Sequence, residues 1–268
     1  MNHFINKNYS SPEKLNKSYL MNKPFPHIVL DNFINSELLN DIMNEFPDLS
    51  KIQSGVKHEN SREIKFSSKG FSDISPKAFE LIAYLNSDIF VTYLQKLTGI
   101  KEVLISDPYL SGGGYHEIKN GGVLKVHADF NKHPFLDLDR RINVLIYLNP
   151  QWKKEWGGSL ELYHENDLNS PYVSVTPEFN RCVIFSTTSS TYHGNPEPVN
   201  CPKGMSRKSI ALYYFSLGRP KSEINSPHST LFVETKGERF ESRLTFRKLA
   251  IDLIPPLLLK YLKKILRR

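Results

Sequence analysis

Cysteine is nearly absent: Cys182 and Cys201 are the only two in 268 residues, and no CxxC or zinc-like spacing joins them. They read as free thiols of a reducing compartment, with one disulfide between them as the alternative. Long apolar runs are missing too. None reaches the roughly 18–20 residues needed to span a bilayer, and the polar stretch MNHFINKNYSSPEKLNKSYL has no apolar segment of the secretory-signal kind. Nor is the chain basic throughout. Of its net charge of +7, a net +6 falls between Arg247 and Arg268, where seven basic residues meet one acid, Asp252; the other 246 residues sum to +1. A near-neutral body does not indicate a nucleic-acid-binding surface. Aromatic residues, by contrast, are plentiful, with 16 Phe and 13 Tyr, and Gly-Gly and Asn-Pro pairs punctuate the chain, as suits a β-rich fold.

The order of textures divides the chain. Residues 1–23 are polar and Asn/Lys-rich, and read as a flexible amino-terminal segment. Residues 24–102 read as a helical support region that begins with a short apolar strand at His27–Leu30. One helix, capped by Asn35 or Ser36, carries Leu38, Leu39, Ile42 and Phe46 at helical spacing and stops at Pro47. Another starts at Ser75-Pro76, divides at Asn86-Ser87-Asp88 and closes at Gly99. Between them, residues 48–74 read as a surface loop with one short strand at most, a substrate-covering lid being the alternative. From residue 103 to 220 short strands succeed one another between turn signals: VLISDPYL, YHEI, VLKVHADF, RINVLIYLN, SLELY, RCVIFS and RKSIALYYFSL. Helices first and strands after make the fold α+β, with a sandwich or barrel of seven or more strands. Residues 221–268 form a carboxy-terminal extension.

The chemistry centres on VLKVHADFN. On a strand, positions i and i+2 share a face, so His127 and Asp129 project the same way. An imidazole and a carboxylate side by side are two thirds of a facial triad for non-haem iron(II). The third ligand is expected from a distant strand, and His193, in STTYHGNPEPV, is the candidate. A lone His-x-Asp is common; its context singles this one out. Fourteen residues after His193, Arg207 opens a strand on which Arg207, Ser209, Ala211 and Tyr213 share a face. A guanidinium facing into a barrel is unfavourable unless an anion meets it, and a five-carbon 2-oxo dicarboxylate would chelate the metal at one end and pair with Arg207 at the other. His133, in the polar loop after the motif, reads as a surface residue, His116 as structural, and Gly157-Gly158 as a tight strand connection.

The run HADFN, RRINVLIYLN, EWGGSLELY, FNRCVIFSTTSSTYHGNPEPV and SRKSIALYYFS resembles the iron(II)/2-oxoglutarate dioxygenase superfamily in its prolyl 4-hydroxylase-like branch, over about half the chain. The resemblance implies a double-stranded β-helix (jelly-roll) fold for residues 103–220. It implies iron ligands His127, Asp129 and His193, and Arg207 as the partner of the 2-oxoglutarate distal carboxylate. Tyr147 matches a tyrosine that helps hold that carboxylate, with a core aromatic as the alternative, and Asn143 shares its strand face. Fe(II), 2-oxoglutarate and dioxygen are implied as cofactor and co-substrates, with ascorbate as reductant. The expected reaction hydroxylates an unactivated C–H of a peptidyl proline or of an envelope-glycan or lipid-linked intermediate, releasing succinate and CO2. The alternative is a jelly-roll binding or scaffold protein that holds a metal or small anion without turnover. Arg207 stands where the animal-collagen branch generally has Lys, so a collagen-type substrate is not implied. Asp129 stands where halogenating relatives carry a small residue, which favours hydroxylation.

The segment FRKLAIDLIPPLLLKYLKKILRR sets Leu258, Leu259, Leu262, Ile265 and Leu266 against Lys260, Lys263, Lys264, Arg267 and Arg268. A basic amphipathic helix of this kind suits an anionic membrane interface, which would place a cytoplasmic protein at the inner face of the membrane. The alternative is a terminal helix packed on the domain. Truncation of residues 255–268 is expected to release the protein from anionic vesicles in a sedimentation assay; unchanged binding would refute the membrane role.

Overall fold

A computed structural model describes residues 4–238 of the chain. The expected carboxy-terminal helix at residues 255–268 lies outside the described residues, among which no helix is long and apolar enough to cross a membrane. In chain order the elements are α1 (Glu13–Met21), β1 (His27–Asp31), α2 (Ser36–Glu45), β2 (Val56–Glu59), β3 (Ile64–Ser67), α3 (Pro76–Leu85), α4 (Asp88–Thr98) and β4 (Leu104–Ser106). There follow β5 (Gly114–Ile118), β6 (Leu124–Ala128), β7 (Asp139–Tyr147), β8 (Leu160–Tyr163), β9 (Val173–Val175), β10 (Arg181–Ser186), β11 (Tyr192–Asn195), β12 (Arg207–Ser216) and β13 (Leu231–Phe232).

Two antiparallel sheets form the jelly roll. The larger runs β1-β10-β7-β12-β5-β3-β2, with β4 taking over from β5 along the second half of β12; the smaller runs β13-β6-β11-β8-β9. Alternation along β7 shows how the layers are built. Ile142, Val144 and Ile146 pack outward with Leu81, Ile82, Leu85, Phe90 and Leu94 of the helices. Leu145 and Tyr147 face inward, to a second apolar cluster with Leu160, Leu162, Val175, Val183 and Phe185 that joins the two sheets. The helices therefore brace the large sheet from outside, and the inner faces are left to form the site. Their ends follow local chemistry: Asn35 accepts from the Leu38 amide, Ser75 accepts from the Ala78 amide before Pro76, and Gly99 ends α4 in the left-handed region at φ 69°.

Three expectations are corrected. Part of the polar segment 1–23 is ordered helix: α1 buries Tyr19 completely, and its hydroxyl meets Ser186 Oγ at 2.8 Å. One aromatic anchor seats a helix whose remaining residues are mostly polar. The 24–102 region is more than helical support: besides the expected strand at β1, β2 and β3 also join the large sheet. Residues 56–67 form a β2–β3 hairpin rather than a surface loop, paired to β5 through Phe66↔Glu117 and Ser67↔His116. Cys182 and Cys201 are both buried and free.

Candidate active site

Antiparallel pairing of β6 with β11 sets His127 directly opposite His193, with their ring centroids 4.4 Å apart. Gly194 permits the close approach: a Cβ there would lie 2.8 Å from the Leu124 carbonyl oxygen and 3.0 Å from that of Lys125. Asp129 sits just past the end of β6 and turns its carboxylate between the rings, Oδ1 3.6 Å from His127 Nε2 and Oδ2 3.4 Å from His193 Nε2. One donor atom from each of the three lies within 4.8 Å of the others, and no other such group occurs among the described residues.

The tautomers are fixed by the backbone. His127 Nδ1 lies 2.8 Å from the Lys125 carbonyl and His193 Nδ1 3.1 Å from that of Thr191. A carbonyl only accepts, so each Nδ1 carries a proton and each Nε2 faces the centre. Burial lowers the His193 pKa to about 4, against the opposing pull of Asp129, so the ring is neutral near pH 7. Burial alone would raise the Asp129 pKa. Arg140 and the two imidazoles outweigh it and hold the carboxylate well below its ordinary range. Two imidazoles and an ionised carboxylate are a donor set that fits iron(II).

Arg140 is the largest residue that sequence reasoning missed. Its Nη2 donates to Asp129 Oδ2 at 2.9 Å, and Nε and Nη2 both donate to Asn143 Oδ1. The guanidinium lies between rings, 3.5 Å from the Tyr213 centroid and 4.3 Å from that of Phe130. Strict alternation from Asn143 would turn Arg141 inward. Instead the register along β12 passes from Ile142 to Arg140 between Tyr214 and Phe215, so Arg141 is the extra residue of a bulge and Arg140 takes its place. Arg141 pairs elsewhere, with Glu102 at 2.8 Å. Asn143 does line the pocket, and it donates from Nδ2 to Asp129 Oδ2 at 2.7 Å.

A cavity of about 70 Å³ reaches from the three-residue cluster to Arg207. Arg207 is buried; Nε donates to the Gly158 carbonyl at 2.6 Å and Nη2 to the Tyr147 hydroxyl at 3.3 Å. No carboxylate among the described residues pairs with it. Burial lowers its pKa while Tyr147 opposes the shift, but an arginine keeps its charge. A buried cation without a counter-ion costs several kcal/mol, and an anion entering the cavity would relieve that cost. Gly158 is thus more than a connection. At φ +72°, its missing Cβ would lie 2.9 Å from Arg207 Cδ. The cavity opens outward into one of about 420 Å³, walled by His58, Glu63 and Lys65 of the hairpin, by His116, and by Phe232. His116 therefore lies at the cavity wall, its Nε2 donating to the Gly112 carbonyl at 2.9 Å. His133 is not on the surface: its side chain is fully buried, with Nε2 3.2 Å from Asp107 Oδ1.

Residues 113–215 match the model of the 2OG-Fe(II) oxygenase superfamily. Over those residues the chain resembles that superfamily. Over 214 residues, 76% of its length, it is 28% identical to the Xenopus laevis prolyl 3-hydroxylase OGFOD1, of which the matched part spans only 38%. Its fold is similar to that of a Trichoplax adhaerens prolyl hydroxylase solved in complex with a hypoxia inducible factor oxygen degradation domain peptide. The TM-score is 0.55 and the identity 17%, covering 78% of this chain and 91% of that one. A Pseudomonas putida prolyl-4-hydroxylase gives a TM-score of 0.53 at 13% identity, over 78% and 99% of the two chains. The jelly-roll expectation stands on these likenesses and on the two-sheet topology.

With a metal in the cluster, the Asn143 and Arg140 contacts would orient and ionise its one anionic donor. Asn143→Ala is expected to weaken divalent-metal binding about 10–100-fold, the usual cost of removing such a support, with the circular dichroism spectrum retained. Unchanged affinity in a manganese titration would show that Asp129 needs no such support.

Proposed function

We propose that this chain is an iron(II)- and 2-oxoglutarate-dependent hydroxylase acting on a peptidyl proline. The carrying observation is the pairing of a two-histidine, one-carboxylate cluster with a buried guanidinium that has no counter-ion among the described residues, at the two ends of one cavity. A protein that only held a metal would not need the second feature. When bound, the metal and co-substrate supply an oxidation in which dioxygen places one atom in succinate and the other in the new hydroxyl, with CO2 released.

The residues of this chain bind, orient and shield. His127, Asp129 and His193 would hold the iron through one donor atom each. Arg207, steadied by Gly158 and joined by Tyr147, would pair with the distal carboxylate of 2-oxoglutarate. Arg140 and Asn143 keep Asp129 ionised and fixed in one orientation. Phe232 on His127 and Phe185 on His193 cover the ligand rings, at centroid separations of 5.3 and 4.9 Å, and limit water access. Ascorbate is the reductant we assign to keep the iron ferrous. The prolyl hydroxylase activities of the relatives support a peptidyl proline over an envelope glycan as the substrate.

The test is succinate release by purified protein given iron(II), ascorbate and 2-oxoglutarate under air. Turnover should depend on iron and fall at least tenfold in Arg207→Ala, since a charge-assisted pair contributes about 1.5–3 kcal/mol. Iron and 2-oxoglutarate that both fail to bind would overturn the proposal.

A further inference from the structure

The outer cavity continues into an apolar groove of about 510 Å³, and the two share Ser111, Gly112, Phe130, Phe135 and Thr230 as lining. Phe135 is 72% exposed, and beside it Tyr109 is 54% exposed, their rings edge to face at 5.7 Å. Single exposed apolar residues need no explanation, but this pair is held in place. The buried His133 accepts at Nδ1 from the Phe135 and Leu136 amides, both at 3.1 Å. Its Nε2 meets Asp107, which in turn accepts from the Tyr109 amide at 2.8 Å. One buried His–Asp pair therefore fixes both segments that present the rings.

Resting on the hydroxylase reading above, we propose that this groove seats an apolar side chain of a peptide substrate, adjacent in sequence to the residue being hydroxylated. Continuity with the three-residue cluster supports this occupant: the outer cavity that reaches His127 and Asp129 runs on into this groove, which gives a chain with its target residue there a path along it. The groove's composition also supports it. Its charged and imidazole groups are engaged: Lys132 with Asp137 and Asp139, and His228 with Ser189 Oγ at 2.7 Å and the Ser229 carbonyl at 2.8 Å. Aromatic walls with few polar groups left to read hydroxyls suit an aliphatic, aromatic or prolyl side chain better than a sugar.

The test uses synthetic peptides with a central proline and each flanking position varied across the twenty amino acids. Wild type is compared with Phe135→Ser and Tyr109→Ser, both exposed positions. Peptide hydroxylation is read by mass, succinate release without peptide reports on the metal site, and fluorescence anisotropy with manganese-loaded protein reports on binding. An apolar flank should be preferred over a charged one by about tenfold or more, as burial of one such side chain implies. Both variants should flatten that preference and leave peptide-free succinate release unchanged. Preference that persists in the variants would overturn the groove assignment, as would rejection of every peptide by a protein that still releases succinate. Absent succinate with binding that still depends on Phe135 would refute the hydroxylase and retain the groove. Absence of both would remove both.

Discussion

The pairing of β6 with β11 is the constraint on which the site depends. Two strands separated by most of the jelly roll are brought into a register that places His127 opposite His193, and every other site residue is positioned relative to that pair. A one-residue slip would turn one imidazole to the opposite face. Several features hold the register. Gly194 lets β11 approach β6 closely, β13 pairs along the other edge of β6 through Leu231↔Ala128 and Phe232↔His127, and β8 holds the far side of β11. The backbone carbonyls that fix the histidine tautomers belong to the same strand and its approach, at Lys125 and Thr191. Fold and ligand orientation thus follow from one set of hydrogen bonds.

Electrostatics divides the cavity into two halves. At one end Asp129 is compensated within the protein by the Arg140 guanidinium and the Asn143 amide. At the other, among the described residues, only the Tyr147 hydroxyl and the Gly158 carbonyl hydrogen-bond to Arg207. A buried charge that the protein itself does not neutralise marks where a ligand's opposite charge belongs. The asymmetry gives the cavity a direction, and on the proposed reading a metal belongs at the paired end and a carboxylate at the unpaired one.

Much of this was legible in the sequence because it obeys simple periods. His127 and Asp129 are two apart at a strand end; Arg207 and Tyr213 share a strand face with even spacing; caps at Asn35, Ser75 and Gly99 announce the helices. What escaped lies where a period breaks or a partner is remote. Arg140 was hidden by the bulge at Arg141, which reverses the alternation that singled out Asn143. His133 looked like a loop residue because Asp107, which buries it, lies twenty-six positions earlier. The β2–β3 hairpin carries apolar alternation only at Ile64 and Phe66, too short a signal to announce a strand pair; it pairs because β5 offers it an edge. Gly158 gave no signal beyond its glycine, since its importance is the space it leaves for Arg207.

The most direct measurement is anomalous diffraction from crystals grown anaerobically with iron(II) and 2-oxoglutarate. The account predicts one iron peak between His127 Nε2, His193 Nε2 and the Asp129 carboxylate, with the distal carboxylate of 2-oxoglutarate on Arg207 and Tyr147. Iron bound elsewhere, or a carboxylate that leaves Arg207 unpaired, would contradict it.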